Sequence, residues 1–279
     1  MEIIKDKAYE EERALYESDG VHLINCRFEG AADGESALKE SSNIVAENCY
    51  FDLRYPFWHD ENVLITDCEM TKNCRAPLWY TAQVEVKDSK IYAPKALREC
   101  SSVKISGCHI ESSELGWDCL DITMQDGYVS GDYFLSRTRG VLLENVRMDG
   151  KYSFQYIENG TISNCVLNTK DAFWHAKNVT VRNSVINGEY LGWYSQGLTF
   201  ENCTITGTQP LCYCKNLRLI NCQMHMCDLS FEKSVVYGEI TTPIISVKNV
   251  LDGEITAPCV DKIIKDREEY KGVIKEIGR

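Results

Sequence analysis

Apolar and polar positions along this chain recur with a period of nineteen residues, far longer than the spacing of an isolated strand or helix. Gly107, Asp126, Asn145, Asn164, Asn183, Asn202 and Asn221 are each nineteen apart. Upstream the same corner recurs at Asn25, Asn48, Asp67 and Asp88, with insertions of zero to four residues. All are Asn, Asp or Gly, the residues that most readily accept a left-handed backbone. Three residues after each corner stands an apolar residue, as at Phe28, Phe51, Met70, Ile91, Leu167, Ile186 and Ile205. A second apolar column lies seventeen after the corner, as at Ile65, Val86, Ile105, Val181, Phe200 and Leu219. Around both columns apolar and polar residues alternate, the signature of strands.

A fixed period of this size marks a solenoid, whose core grows one coil at a time. The expected fold is all-β: a single-stranded right-handed parallel β-helix of about 12 coils with a 19-residue repeat and capped ends. Each coil reads as three strands; in the Asn164 coil these are Cys165–Leu167, Ala172–Ala176 and Val179–Val181. Charged residues 1–13 and 259–279 are read as caps, the second as a helical tail, around coils over 14–258. With no linker or low-complexity tract, 1–279 is read as one domain.

Composition narrows the chemistry. Lys plus Arg number 30 against 42 Asp plus Glu, a net charge of −12, which disfavours nucleic acid and anionic membrane as partners. No charged segment followed by a long apolar run is present, so the expectation is a cytoplasmic protein with no membrane span. Fourteen Cys in such a compartment are expected to be free thiols. Seven of them (Cys26, Cys49, Cys68, Cys108, Cys165, Cys203 and Cys222) stand one residue after a corner, where a small, slightly apolar side chain fits. The group Cys203, Cys212, Cys214, Cys222, His225 and Cys227 lacks the paired spacing of a zinc site, so no metal and no cofactor is expected. The sequence does not fix the oligomeric state.

The middle of the coil is different. Ten residues after the corner come Lys39, Trp58, Trp79, Arg98, Trp117, Trp174 and Trp193, including all five Trp of the chain. The next column holds Glu17, Glu40, His59, Tyr80, Glu99, Asp118, Arg137, Tyr156, His175, Tyr194 and Tyr213. Alternation along a strand sends the first column inward with the small residues two further on, and the second outward. Lys39 and Arg98 fit that assignment poorly.

An outward stripe of acids, His and Tyr suits an oligosaccharide. Glu99, Asp118 and Arg137 fall on three consecutive coils. Carboxylates on adjacent coils are about 5 Å apart at the root, close enough for one to hold a proton near neutrality. The catalytic reading makes Glu99 and Asp118 the acid–base pair and Arg137 an anion clamp. Candidate substrate-binding residues are His59, Tyr80, Arg98, Trp117, Tyr156, His175 and Tyr194. The competing reading of Glu99, Asp118 and Arg137 is a surface ladder that only balances charge. For His59 and His175 the competing reading is a structural hydrogen bond to a neighbouring Tyr.

The strand–Asn–Cys–x–apolar units, such as Phe200-Glu201-Asn202-Cys203-Thr204-Ile205 and Leu219-Ile220-Asn221-Cys222-Gln223-Met224, resemble the pectin-lyase-like superfamily over about residues 14–258. Ala37-Leu38-Lys39-Glu40-Ser41 and Phe57-Trp58-His59 resemble more narrowly an uncharacterised bacterial family of cytoplasmic β-helix proteins. The superfamily resemblance implies polysaccharide lyases, polygalacturonases, esterases and epimerases. The polygalacturonase Asn-x-Asp and Gly-Asp-Asp pattern and the pectate-lyase Arg-x-Pro-x-x-Arg pattern are absent, which leaves the reaction open. The function read from sequence is a carbohydrate-active lyase or glycoside hydrolase with a groove along one sheet face. The alternatives are a non-catalytic carbohydrate- or protein-binding rod and a purely structural assembly module.

Overall fold

The computed structural model describes residues 1–31 and 34–278. Short strands lie side by side with their counterparts one period along the chain, always in parallel. Within the compact unit of residues 1–139, Val84 and Val86 pair with Val63 and Ile65 on one side and with Val103 and Ile105 on the other. Within the unit of residues 140–279, Val181 pairs with Ile162 and Phe200. The chain is a right-handed parallel β-helix of about 14 turns with ~19-residue spacing, slightly more than the dozen read from sequence.

The apolar columns are the core. Phe28 and Phe51 stack with ring centroids 4.9 Å apart, and Phe154 and Phe173 at 4.7 Å. All four are fully buried. The corners behave as their residue types require. Asn48 Nδ2 donates to Asn25 Oδ1 at 2.7 Å, and Asn221 Nδ2 to Asn202 Oδ1 at 2.8 Å, so the amides ladder from coil to coil. Gly107 has a φ of +63, and a Cβ there would meet Asp88 Oδ1 at 2.2 Å, which explains the one corner without a side chain. The thiols after the corners are buried and bond backbone carbonyls; Cys203 Sγ reaches Val181 O at 3.4 Å.

Two expectations need correction. The segments read as caps carry strands in register with the coils: Glu2–Lys5 pairs with Val21–Ile24, and Val273–Glu276 with Asp252–Ala257. Among the described residues the sole helical segment is the 3₁₀ turn Lys72–Cys74, so the tail is not helical. The charges there mark exposed strand positions.

The middle strand is also shorter than read. In residues 1–139 it spans only Phe57–Trp58, Leu78–Trp79, Leu97–Arg98 and Leu115–Trp117. In residues 140–279 the equivalent Ala172–Ala176 forms turns. There Asp171, Phe173 and His175 have φ of 54, 60 and 57, and a left-handed residue at every second position cannot extend into a strand.

Candidate functional site

Every residue eleven past the corner is left-handed, from Glu17 (φ 54) through Arg137 (φ 59), and again from Tyr156 (φ 59) to Tyr213 (φ 61). This column is a corner rather than the middle of a strand. The kink corrects the alternation expected from sequence. Cys100, Cys119 and Thr138, one residue further on, enter the core. The column before the corner is not inward: Lys39, Trp58, Trp79, Arg98 and Trp117 are half-buried along the flank. That position resolves the misfit of Lys39 and Arg98, whose stems lie on the flank while their charges cap ring faces. Lys39 Nζ sits 4.7 Å from the Trp58 centroid, and the Arg98 guanidinium lies 6.0 Å from Trp79 and 5.7 Å from Trp117.

The corner column itself is stacked. His175 lies between Tyr156 and Tyr194 at 4.8 and 5.1 Å, almost parallel to both, and Tyr194 stacks on Tyr213 at 4.8 Å. His59 stacks on Tyr80 at 4.8 Å. Both His therefore meet their Tyr neighbours face to face, not through the structural hydrogen bond weighed from sequence. Rings that stack on one another present edges to solvent. The stripe Tyr156–His175–Tyr194 thus offers a sugar few free ring faces, which weakens the stacking role that sequence suggested for it.

Glu99, Asp118 and Arg137 stand on the surface of successive coils. Arg137 Nε donates to Asp118 Oδ1 at 3.0 Å, with the two side chains 57% and 42% exposed. Glu99, one coil before Asp118, lines a cleft of about 490 Å³ together with Tyr55, Arg75, Ala76, Trp79, Pro94, Lys95 and Arg98. Arg98 and Trp79 come from the short flank strands, while Arg75 and Lys95 come from the turns before them. The first turn is fixed by its cap: Thr71 accepts from Asn73 N, and Asp52 accepts from Asn73 Nδ2 at 3.0 Å and from the Thr71 hydroxyl. The second is tied to the first by Lys95 N donating to Arg75 O at 2.9 Å. Arg98 Nη1 and Lys95 Nζ share Glu114 Oε2 at 3.1 and 3.8 Å. Three cations thus face one lining carboxylate, Glu99, in a chain of net charge −12.

The Trp79 ring stacks on Trp58 at 5.6 Å, with Tyr55 tilted against both. Both indole N–H groups are buried without a hydrogen-bond partner among the described residues. One coil position away, Asp60 projects into the core. Its Oδ1 accepts from Ser41 N at 2.9 Å, while Oδ2 is buried and unpartnered. Burial pushes the Asp60 carboxyl up to about 8, only partly offset by its bond from the Ser41 amide. Sequence reading missed Asp60, Tyr55, Arg75 and Lys95. Asp60 was legible as the one acid in a column of Ser, Thr, Cys, Ala and Ile. The other three lie in turns whose course the period does not fix. No group of three or more His, Cys, Asp or Glu among the described residues is arranged to hold a metal ion.

Residues 2–277 match the model of a family described as Protein of unknown function (DUF3737). The chain belongs to that family. No curated protein matches it. Among solved structures, the family member is similar to a tailspike protein of E. coli bacteriophage HK620 in complex with pentasaccharide, at 11% identity and a TM-score of 0.43. That alignment covers 94% of this chain and 65% of the tailspike, so the chain spans under two thirds of its relative. It is similar also to the A-module of an Azotobacter vinelandii mannuronan C-5 epimerase, at 10% identity, with 98% and 87% of the two chains covered and a TM-score of 0.32. A Streptococcus pneumoniae surface protein and adhesin matches at 11% identity, with 93% and 68% covered and a TM-score of 0.25.

Proposed function

We propose that the protein binds an acidic oligosaccharide in the cleft around Trp79. The observation that carries this reading is the lining itself. Arg75 supplies an unpaired charge for a carboxylate, Lys95 and Arg98, which share Glu114, add to the positive field, and Glu99 supplies an acceptor for hydroxyls. A volume of about 490 Å³ is within the usual range for small-ligand sites, roughly 300–1,000 Å³. The net negative charge elsewhere adds discrimination, because a polyanion is repelled from most of the surface and accepted only here.

Binding is tested by calorimetry with galacturonate oligomers and with neutral oligomers of the same length. The expected result is saturable binding of the acidic series alone, weakened at least tenfold by Arg98→Ala. Absence of binding by any acidic oligomer would refute the proposal.

One observation favours turnover as a second reading: Glu99 is a carboxylate lining the cleft. In a lyase it would take the proton α to the uronate carboxylate, Arg98 would neutralise the enolate, and the C–O bond would break as the departing glycosidic oxygen takes a proton from solvent. Asp118, bonded to Arg137, then serves Arg137 rather than pairing with Glu99. Glu99→Gln should abolish product formation from an acidic oligomer and keep its binding; product formed at an unchanged rate would remove Glu99 from the chemistry.

A further inference from the structure

Beside the Trp79 cleft lies a second, of about 350 Å³, whose lining includes Asp52, Arg54, Lys72, Asn73 and Arg75. Arg75 belongs to both clefts. We infer that the two clefts form one trough, joined at Arg75, that takes an oligomer bearing at least two anionic groups. The inference rests on the reading of the Trp79 cleft as an acidic-saccharide site, and extends it to ligand length and charge number.

Charge is the first support. Along the trough five cations (Arg54, Lys72, Arg75, Lys95 and Arg98) face two carboxylates, Asp52 and Glu99. Asp52 is occupied by the Thr71 hydroxyl and the Asn73 amide. Arg54 is paired with Glu35 at 3.1 Å, and Lys95 and Arg98 with Glu114 at 3.8 and 3.1 Å. The Lys72 ammonium and the Arg75 guanidinium have no hydrogen-bond or ion-pair partner among the described residues, so the cations free to meet a ligand stand at the join and in the second cleft.

Backbone conformation is the second. Arg75 closes the 3₁₀ turn at φ 55 and ψ −78, outside the regions open to ordinary side chains. A glycine would hold that turn without strain. An arginine at this position, exposed and shared by two clefts, costs stability and contributes a cation where the clefts meet.

Dimensions are the third. The trough draws on the turns of four successive coils, at residues 30, 52–55, 72–76 and 94–98. At about 4.8 Å per coil these span about 14 Å. A ligand with a single charge meets one cleft. An oligomer meeting both gains the second contact as an intramolecular event, worth on the order of 10²-fold or more in affinity.

The test is calorimetry on the full chain with monomeric galacturonate and hexagalacturonate, with the melting temperature as a control for folding. The wild type should bind the hexamer at least tenfold more tightly than the singly charged monomer. Lys72→Ala should remove most of that advantage and leave monomer binding unchanged. Arg75→Gly should weaken both ligands while the melting temperature holds or rises, since the strain is relieved. Equal affinity of the wild type for the two lengths, or a Lys72→Ala variant that keeps the whole advantage, overturns the joined trough and leaves single-cleft binding standing. Failure of the wild type to bind either ligand overturns the underlying reading instead.

Discussion

In residues 140–279 the indole N–H of Trp174 donates to Tyr190 O at 2.7 Å, and that of Trp193 to Gln209 O at 2.8 Å. Each bond reaches sixteen residues ahead, to a carbonyl on the next coil, and the two rings stack at 5.4 Å and 4°. In residues 1–139 the same column stacks Trp58 on Trp79 at 5.6 Å and 12°, yet neither N–H finds a partner. The turns explain the difference. The carbonyls of Pro94 and Arg75 accept from Glu114 N and Lys95 N, and the chain here forms a 3₁₀ turn at Lys72–Cys74. One sequence column therefore closes its own hydrogen bonds in one unit and leaves them open beside a cationic cleft in the other. Asp60 belongs to the open region too, with a buried carboxyl oxygen unpartnered. Ser230 Oγ shows that the second unit is not wholly satisfied, but it lies in the core, away from the indole column.

The largest expected effect comes from Asp60. Its folded-state value is raised to about 8, above the ordinary carboxyl value near 3.8. Below about pH 4 the carboxyl is protonated in both folded and unfolded chains and costs nothing. As pH rises towards 8 the unfolded chain releases the proton and the folded chain holds it, so stability is progressively lost; above about 8 the loss levels off. Asp60→Asn removes this dependence and keeps an acceptor for Ser41 N. It should stabilise the protein by several kcal/mol at pH 8, on the order expected for a shift of this size, and by little at pH 4. Denaturant unfolding across that range is the check; a mutant advantage that does not grow with pH would contradict the assignment.

A smaller effect bears on the indoles directly. Trp193→Phe deletes a donor and leaves Gln209 O with only the weak Cys212 thiol donor, at a cost of about 1–2 kcal/mol. Trp79→Phe deletes a donor that bonds nothing, and should cost less by about 1 kcal/mol. The reverse ranking in thermal or denaturant unfolding would mean that Trp79 is the better-satisfied ring. Smallest is Asp118→Asn. The pair with Arg137 is exposed on both sides, so its loss should change stability by less than about 1 kcal/mol and leave acidic-oligomer binding intact. A larger stability loss, or lost binding, would restore Asp118 to the site.

The fold was legible because its determinants repeat. A corner Asn must bond the Asn above it, and a Phe or Ile three residues on must meet its copy in the next coil. One wrong assignment would therefore break eleven positions at once. The candidate site was half legible. Arg98 stood out as a charge in the Trp column and Glu99 as an acid in the outward column, and both line the cleft. Arg75, Lys95 and Tyr55 did not, because they sit in insertions and turns that the period skips. Trp79 belongs to the recognised column, but nothing in sequence separates its unpaired N–H from the bonded N–H of Trp193. The left-handed corner at Glu99, Asp118 and Tyr156 was hidden for another reason. Glu, Tyr and Arg seldom take that conformation, so strand alternation was the natural expectation, and the column of tertiary stacking overrode it.

The central claim is that the indole column is open at Trp79 and closed at Trp193. It is tested most directly by following the five indole N–H resonances by nuclear magnetic resonance during titration with hexagalacturonate, with assignments from single Trp→Phe variants. The Trp79 N–H, beside the cleft and without a partner, should shift as ligand binds, while Trp174 and Trp193 stay in place. A Trp79 resonance that stays fixed while ligand saturates the protein, or a Trp193 resonance that moves in its stead, would contradict it.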